Sequence, residues 1–211
     1  MTTSEAINKK KLRHRWSHHL WIHRAAVQCF NAIMFFVPSR IKYGIGKWMR
    51  RGEYPYRLLN DNSVVVQIGA PCDTMAAGRS RAMYFSLFTA PKGKVIVVEP
   101  DEASEKRFAG ISSRLGLSHV KYCSVGAWNE KKQLKLYVNK THPACNFTEG
   151  TVEYGPDRMR DFDEFEVPVD TVDNILQSSE IDKVDLISIT TNGSERQILS
   201  GMKNAMNSGV Q

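Results

Sequence analysis

Apolar runs of two kinds alternate along residues 63–206. Ser63-Val64-Val65-Val66-Gln67-Ile68 and Lys94-Val95-Ile96-Val97-Val98 are short and β-branched, and their polar and apolar positions do not alternate. That is the pattern of strands buried on both faces. Val120–Val125 and Val184–Thr190 predict two more strands. Between these runs the spacing becomes helical. Thr74 caps a predicted helix reaching Phe88, Asp101 opens one that Gly116 closes, and Asp170 starts a short one through Leu176. Gly193–Met206 predicts a last helix, with Ile198, Leu199, Met202 and Met206 on one face. Strand–helix alternation of this kind predicts an α/β fold, a doubly wound and mostly parallel sheet with helices on both faces and right-handed crossovers.

Residues 127–166 break the pattern. Leu134–Val138 alternates and suggests a strand, and a long polar stretch follows. Such a stretch is either a substrate-facing loop or a surface excursion. Val167-Pro168-Val169 predicts an edge or linking strand, because proline cannot donate to a central ladder. At most six strands are expected. The sequence ends at Gly209-Val210-Gln211, where a sheet of this kind normally adds a strand. The expectation is therefore of a domain short of its last strands, either naturally or by truncation.

Charge separates an N-terminal arm, residues 1–59, from a body, residues 60–211. The chain has 211 residues, with 29 Lys+Arg and 22 Asp+Glu. Residues 1–51 hold eleven of those bases and one acid, Glu5, whereas the other 160 residues hold 18 bases and 21 acids. The arm's apolar stretch, Ala25–Val37, is too short to cross a bilayer and ends in Pro-Ser-Arg rather than an export cleavage site. Ile22, Ala26, Phe30, Ile33 and Val37 form a helical stripe. Ile41–Arg51 predicts a second short helix, weakened by Gly44 and Gly46. Two roles follow: packing onto the body and covering one side of its active site, or lying on an anionic membrane with Trp21, Phe35 and Phe36 inserted. An acidic body without a recognisable motif gives no expectation of nucleic acid. Four widely spaced Cys argue against a disulfide framework or a zinc site and suggest a reducing, cytoplasmic setting.

Ligands of open α/β sheets bind beyond the carboxyl ends of the strands. Gly69 follows the first strand and lets the backbone approach a ligand closely. Glu99 follows the second and offers a carboxylate suited to a ribose diol. G-x-G-x-x-G is absent, since Ala70, Pro71, Cys72 and Asp73 follow Gly69, and so is a nucleotide phosphate loop. A dinucleotide-dependent oxidoreductase is thus disfavoured. A ligand with a ribose and no pyrophosphate fits better, and S-adenosylmethionine is a candidate.

Val65–Ala70, Val97–Pro100, Val167–Leu176 and Val184–Glu195 with Ile198–Gly201 fall in an order that resembles FkbM-type class I methyltransferases, over roughly residues 60–205. The resemblance implies a Rossmann-like methyltransferase sheet. It also implies S-adenosylmethionine as cofactor and O-methylation of a hydroxyl on a sugar, glycan, lipid or natural product. It places cofactor binding at Gln67, Gly69, Ala70, Asp73, Glu99 and Pro100, and acceptor activation at Glu195 and Asn192, without a metal. This chain departs from the family pattern at several positions. Gln67 stands for an Asp, Pro71 for an Asn and Asp73 for a second Gly, so Asp73 is a candidate for the carboxylate missing at 67. Ser188 stands for a Lys, Thr190 for an Asp and Asn192 for a Glu, while Gly193 and Glu195 match. His142 and Asp185 are further candidate bases, the latter near a strand start. The neutral late strand also admits a non-catalytic cofactor-binding or interaction module on the same fold.

Overall fold

The computed structural model describes residues 25, 28, 29, 32–34 and 36–207, in two compact units, Met1–Val37 and Pro38–Gln211. In the first unit the described residues are helical up to Phe36. Most of the expected stripe, with Trp21 and Phe35, lies outside the described residues. Residues 38–59, grouped with the arm by sequence, belong to the second unit.

Four parallel strands form the main sheet of that unit: β1 (Val64–Ile68), β2 (Lys94–Val98), β3 (Val120–Cys123) and β8 (Leu186–Ile189). Their order is β3-β2-β1-β8, so strand order reverses between β1 and β8. Alternate residues of β1 and β2 feed two cores. Val65, Val95 and Val97 pack under α1 (Ser39–Arg50), α3 (Arg81–Thr89) and α4 (Glu102–Leu115). Val66, Ile68, Ile96 and Val98 pack under α6 (Val172–Ser178), α7 (Glu195–Ser200) and α8 (Lys203–Asn207). The sheet is covered on both faces, as its unbroken apolar strands require. This is the Rossmann-like arrangement expected from the sequence.

Local signals set most boundaries. Asp101 accepts from Ala103 and Ser104 N–H at the start of α4, and Gly116 closes it with φ 71°. Two helices predicted as continuous are broken. The first divides into α2 (Cys72–Ala76) and α3 at Gly78, whose φ is 69°, and Ser80 caps the second piece by accepting from Met83 N–H. The other divides into α7 and α8 at Gly201, where a Cβ would strike the Trp128 carbonyl.

Residues 127–166 do not form a long loop. They contribute to a second sheet, β4-β7-β5-β6, built from β4 (Gly126–Trp128), β5 (Lys132–Asn139), β6 (Phe147–Thr148) and β7 (Phe162–Thr171). A short helix, α5 (Pro156–Met159), precedes β7. Among the described residues, eight strands therefore replace the expected six at most. β7 is not an edge strand: it pairs antiparallel with β5 and parallel with β4. Pro168 fits because pairing to β4 begins only at Val169, so the missing N–H falls beyond the end of that ladder. Trp128, Leu136, Val167 and Val169 form this sheet's own core.

Candidate functional site

The carboxyl ends of β1, β2 and β8 converge where strand order reverses. Gly69 N–H extends the ladder to Val98 O at 2.9 Å, and Thr190 N–H donates to Ile68 O at 2.8 Å. Gly69 has φ 85°, and a Cβ there would run into the Thr190 carbonyl, so only glycine fits. Beneath this crossing lies Gln67, fully buried. Its Nε2 donates within 2.7 Å of Thr190 Oγ1 and 2.8 Å of Gly69 O. Thr190 Oγ1 also reaches Gly69 O at 2.9 Å. The side chains at 67 and 190 thus tie the two strand ends together without charge.

Glu99 sits beside this crossing and is 9% exposed. One carboxylate oxygen accepts Ala70 N–H at 2.8 Å and the other accepts Asp101 N–H at 3.1 Å. Burial pushes its pKa up to about 7, and those two backbone donors pull in the opposite direction. Each oxygen keeps one lone-pair direction for a further donor.

Two clefts meet at this crossing. The first, about 80 Å3, has apolar walls from Ile68, Val98, Ala127, Leu136, Phe147 and Val169. Its polar groups come from Glu99, Asn146, Thr148, Thr191, Asn192 and Ser194. Thr148 Oγ1 is buried there without a hydrogen-bond partner. The second cleft, about 320 Å3, opens past Ala70, Thr74, Arg79 and Arg81. Gly69, Pro71, Ala144, Thr190, Thr191 and Asn192 border both. A larger cavity, about 470 Å3, lies at the opposite end of the strands, around Ser63 and Asp185. That is the wrong end for a ligand of such a sheet. Asp185 accepts Val64 N–H there at 2.8 Å, a structural task.

The predicted residues divide accordingly. Gly69, Glu99, Pro100 and Asn192 share the first cleft, and Ala70 borders the second while donating to Glu99. Gln67 lies below the floor, holding the Gly69 carbonyl. Asp73 lines neither cleft; its carboxylate accepts Thr74 N–H at the start of α2, so it does not replace the carboxylate missing at 67. Asn192 is committed elsewhere: its amide donates to Ala144 O at 2.9 Å and to Asn146 O at 2.7 Å. It pins the turn before β6 over the clefts, a task that a carboxylate, which only accepts, cannot perform. Glu195 lines neither cleft. Its Oε1 takes Thr191 Oγ1 at 3.2 Å and Gly193 N–H at 3.4 Å, at the start of α7. His142 is exposed outside both clefts.

Sequence reasoning missed Thr191, which borders both clefts and touches Glu195, and missed the wall from Leu136, Asn146, Phe147 and Thr148. Nothing local marks these residues, because the pairing of β5 with β6 and β7 is what brings them in. Among the described residues, no group of three or more His, Cys, Asp or Glu is placed to hold a metal ion.

A family model described as methyltransferase FkbM domain matches residues 67–209, which include every residue of the crossing. No curated protein matches the chain. Among solved structures, that of methyltransferase FkbM from Methylobacillus flagellatus KT is similar, at 19% identity and a TM-score of 0.44. The likeness covers 73% of this chain, which spans about a third, 35%, of that protein's length.

Proposed function

The chain belongs to the FkbM methyltransferase family, and on that premise we propose that it transfers a methyl group from S-adenosylmethionine to a hydroxyl of a sugar, glycan, lipid or natural product. The observation that carries the reading is the buried Glu99 carboxylate at the end of β2, facing the Gly69-Ala70 turn within an apolar-walled cleft.

The residues present fit the cofactor. The free lone pairs of Glu99 suit a ribose diol, and the Ile68, Val98 and Ala127 walls suit a flat heterocycle. The unpartnered Thr148 hydroxyl offers one more polar contact. When bound, the cofactor supplies an electrophilic methyl group, and the protein supplies alignment and proton handling. The wider second cleft is then the acceptor's side.

Among the described residues, Glu99 is the only carboxylate bordering either cleft, and its role is taken. Glu195 reaches the clefts through one hydroxyl. An acceptor hydroxyl in contact with Thr191 Oγ1 passes its proton to that oxygen while Thr191 passes its own to Glu195 Oε1. The acceptor oxygen gains a lone pair for attack, and Glu195 ends protonated. Methyl incorporation from labelled cofactor into a panel of hydroxylated glycans and lipids tests the enzyme reading.

The neutral Gln67–Thr190 pair favours a second reading, a cofactor-binding module that transfers nothing. Tight cofactor binding with no incorporation across the panel selects it.

A further inference from the structure

Helix α1 is amphipathic in an inverted sense. Its lysines point inward: Lys42, 5% exposed, donates from Nζ to Ala76 O at 2.7 Å, and Lys47 donates to Leu87 O at 2.6 Å. Both lysines cap the last carbonyls of helices on the body, a favourable place for positive charge. Burial lowers the pKa of both. Tyr43 and Gly46 complete the buried face. The opposite face carries Ile41, Ile45, Trp48 and Met49, which are 53%, 56%, 75% and 62% exposed. These positions step by four, three and one residues and form one stripe on a rod about 18 Å long. Arg40 and Arg51 flank it and are exposed, with Glu53 just beyond.

A contiguous apolar patch on a helix that hides its own lysines points to an occupant. A second copy of the chain would bring together two segments that each carry eleven bases and one acid over residues 1–51. Like charges of that density oppose such pairing. The same charge is complementary to an anionic bilayer surface. We infer that the outer face of α1 lies in the headgroup region of an anionic membrane, with Trp48 and its three aliphatic neighbours inserted. Among the described residues no helix is long and apolar enough to cross a membrane.

The test is sedimentation of the full chain with vesicles of phosphatidylcholine alone or with a third phosphatidylserine, using Ile45→Glu/Trp48→Glu as the variant. Both side chains are exposed, so the variant should keep the wild-type circular dichroism and melting curve. The wild type is expected to pellet with anionic vesicles and to be released by high salt. The variant's partition should fall by roughly tenfold or more, because two inserted apolar groups are replaced by charges. In a Trp16→Phe/Trp21→Phe background, brominated acyl chains should quench Trp48, since the other remaining tryptophan, Trp128, is 6% exposed. Equal pelleting of variant and wild type overturns the inference, as does no pelleting of the wild type. A dimer that the variant dissolves would assign the face to a second copy instead. None of these outcomes depends on methyl transfer.

Discussion

Gln67 and Thr190 stand 123 positions apart in the sequence, yet Gln67 Nε2 lies 2.7 Å from Thr190 Oγ1. The amide's orientation is fixed by its neighbours, since the Ile68 and Gly69 carbonyls beside Nε2 only accept. The pair closes the seam between β1 and β8 with a neutral bond. Thr190→Val keeps the shape and removes the hydroxyl. It should lower unfolding free energy by about 1–2 kcal/mol in a denaturant titration. The cofactor cleft should loosen in step, because the same hydroxyl reaches the Gly69 carbonyl.

Glu99 should make cofactor binding depend on pH. Its carboxyl titrates near 7, and ribose hydroxyls donate best to the charged form. Binding below pH 7 should therefore release a proton, and affinity should rise about tenfold from pH 6 to pH 8 before levelling off. Calorimetry in buffers of different ionisation enthalpy reads both quantities. Glu99→Gln should bind less tightly, by roughly tenfold, and lose the pH dependence.

The same group affects stability. The folded protein keeps the Glu99 proton up to about pH 7, while the unfolded chain releases it near the ordinary carboxyl value of 4.5. Its contribution to stability is thus present below pH 4.5 and falls away as pH rises to about 7, by about 3 kcal/mol at most. Denaturant midpoints across that range should show a slope that Glu99→Gln flattens.

Thr191→Val and Glu195→Gln should each slow turnover by about 10²–10⁴ if the hydroxyl relays a proton to the carboxylate. Glu195→Gln should leave cofactor affinity nearly unchanged, since Glu195 lines neither cleft. A loss in Glu195→Gln alone would mean direct contact with the acceptor. No loss in either would mean unassisted transfer.

Asn192→Asp should free the turn that precedes β6. It replaces two donated bonds, to the Ala144 and Asn146 carbonyls, with a charge facing those oxygens. Limited proteolysis should then cut residues 140–150 faster than in the wild type, while the main sheet stays protected.

Much of the main sheet was legible because its signals are local. The β-branched runs of β1 and β2, the Asp101 cap and the Gly116 stop all act within a few residues. Gly69 and Glu99 were legible for the same reason, since each directly follows such a strand. The breaks at Gly78 and Gly201 were not, because a glycine within a helical spacing is compatible with continuation until a neighbouring backbone, here Trp128, occupies the space. The second sheet was hidden by distance. Asn139 pairs with Phe162 and Lys132 with Val169, and no single segment announces that register. Pro168 actively misled, because its cost vanishes where β4 has not yet begun. Thr191 emerges only when β8 is laid beside β1 and the turn before β6 is brought over both.

Tyr84 gives α1 a property that its sequence would not suggest. The ring lies against Tyr43 and Tyr56, its hydroxyl donates to Gly78 O at 2.7 Å, and Arg50 stacks over it at 4.2 Å. Gly46 is required by that ring, since a Cβ there would overlap the hydroxyl. The residue expected to weaken the helix is therefore the one that lets it dock. Lifting α1 would expose a tyrosine that is 1% accessible and unseat the turn between α2 and α3. Its amides should accordingly exchange with solvent only in openings that also disrupt the central sheet, so α1 belongs to the same cooperative folding unit rather than to a fraying terminus.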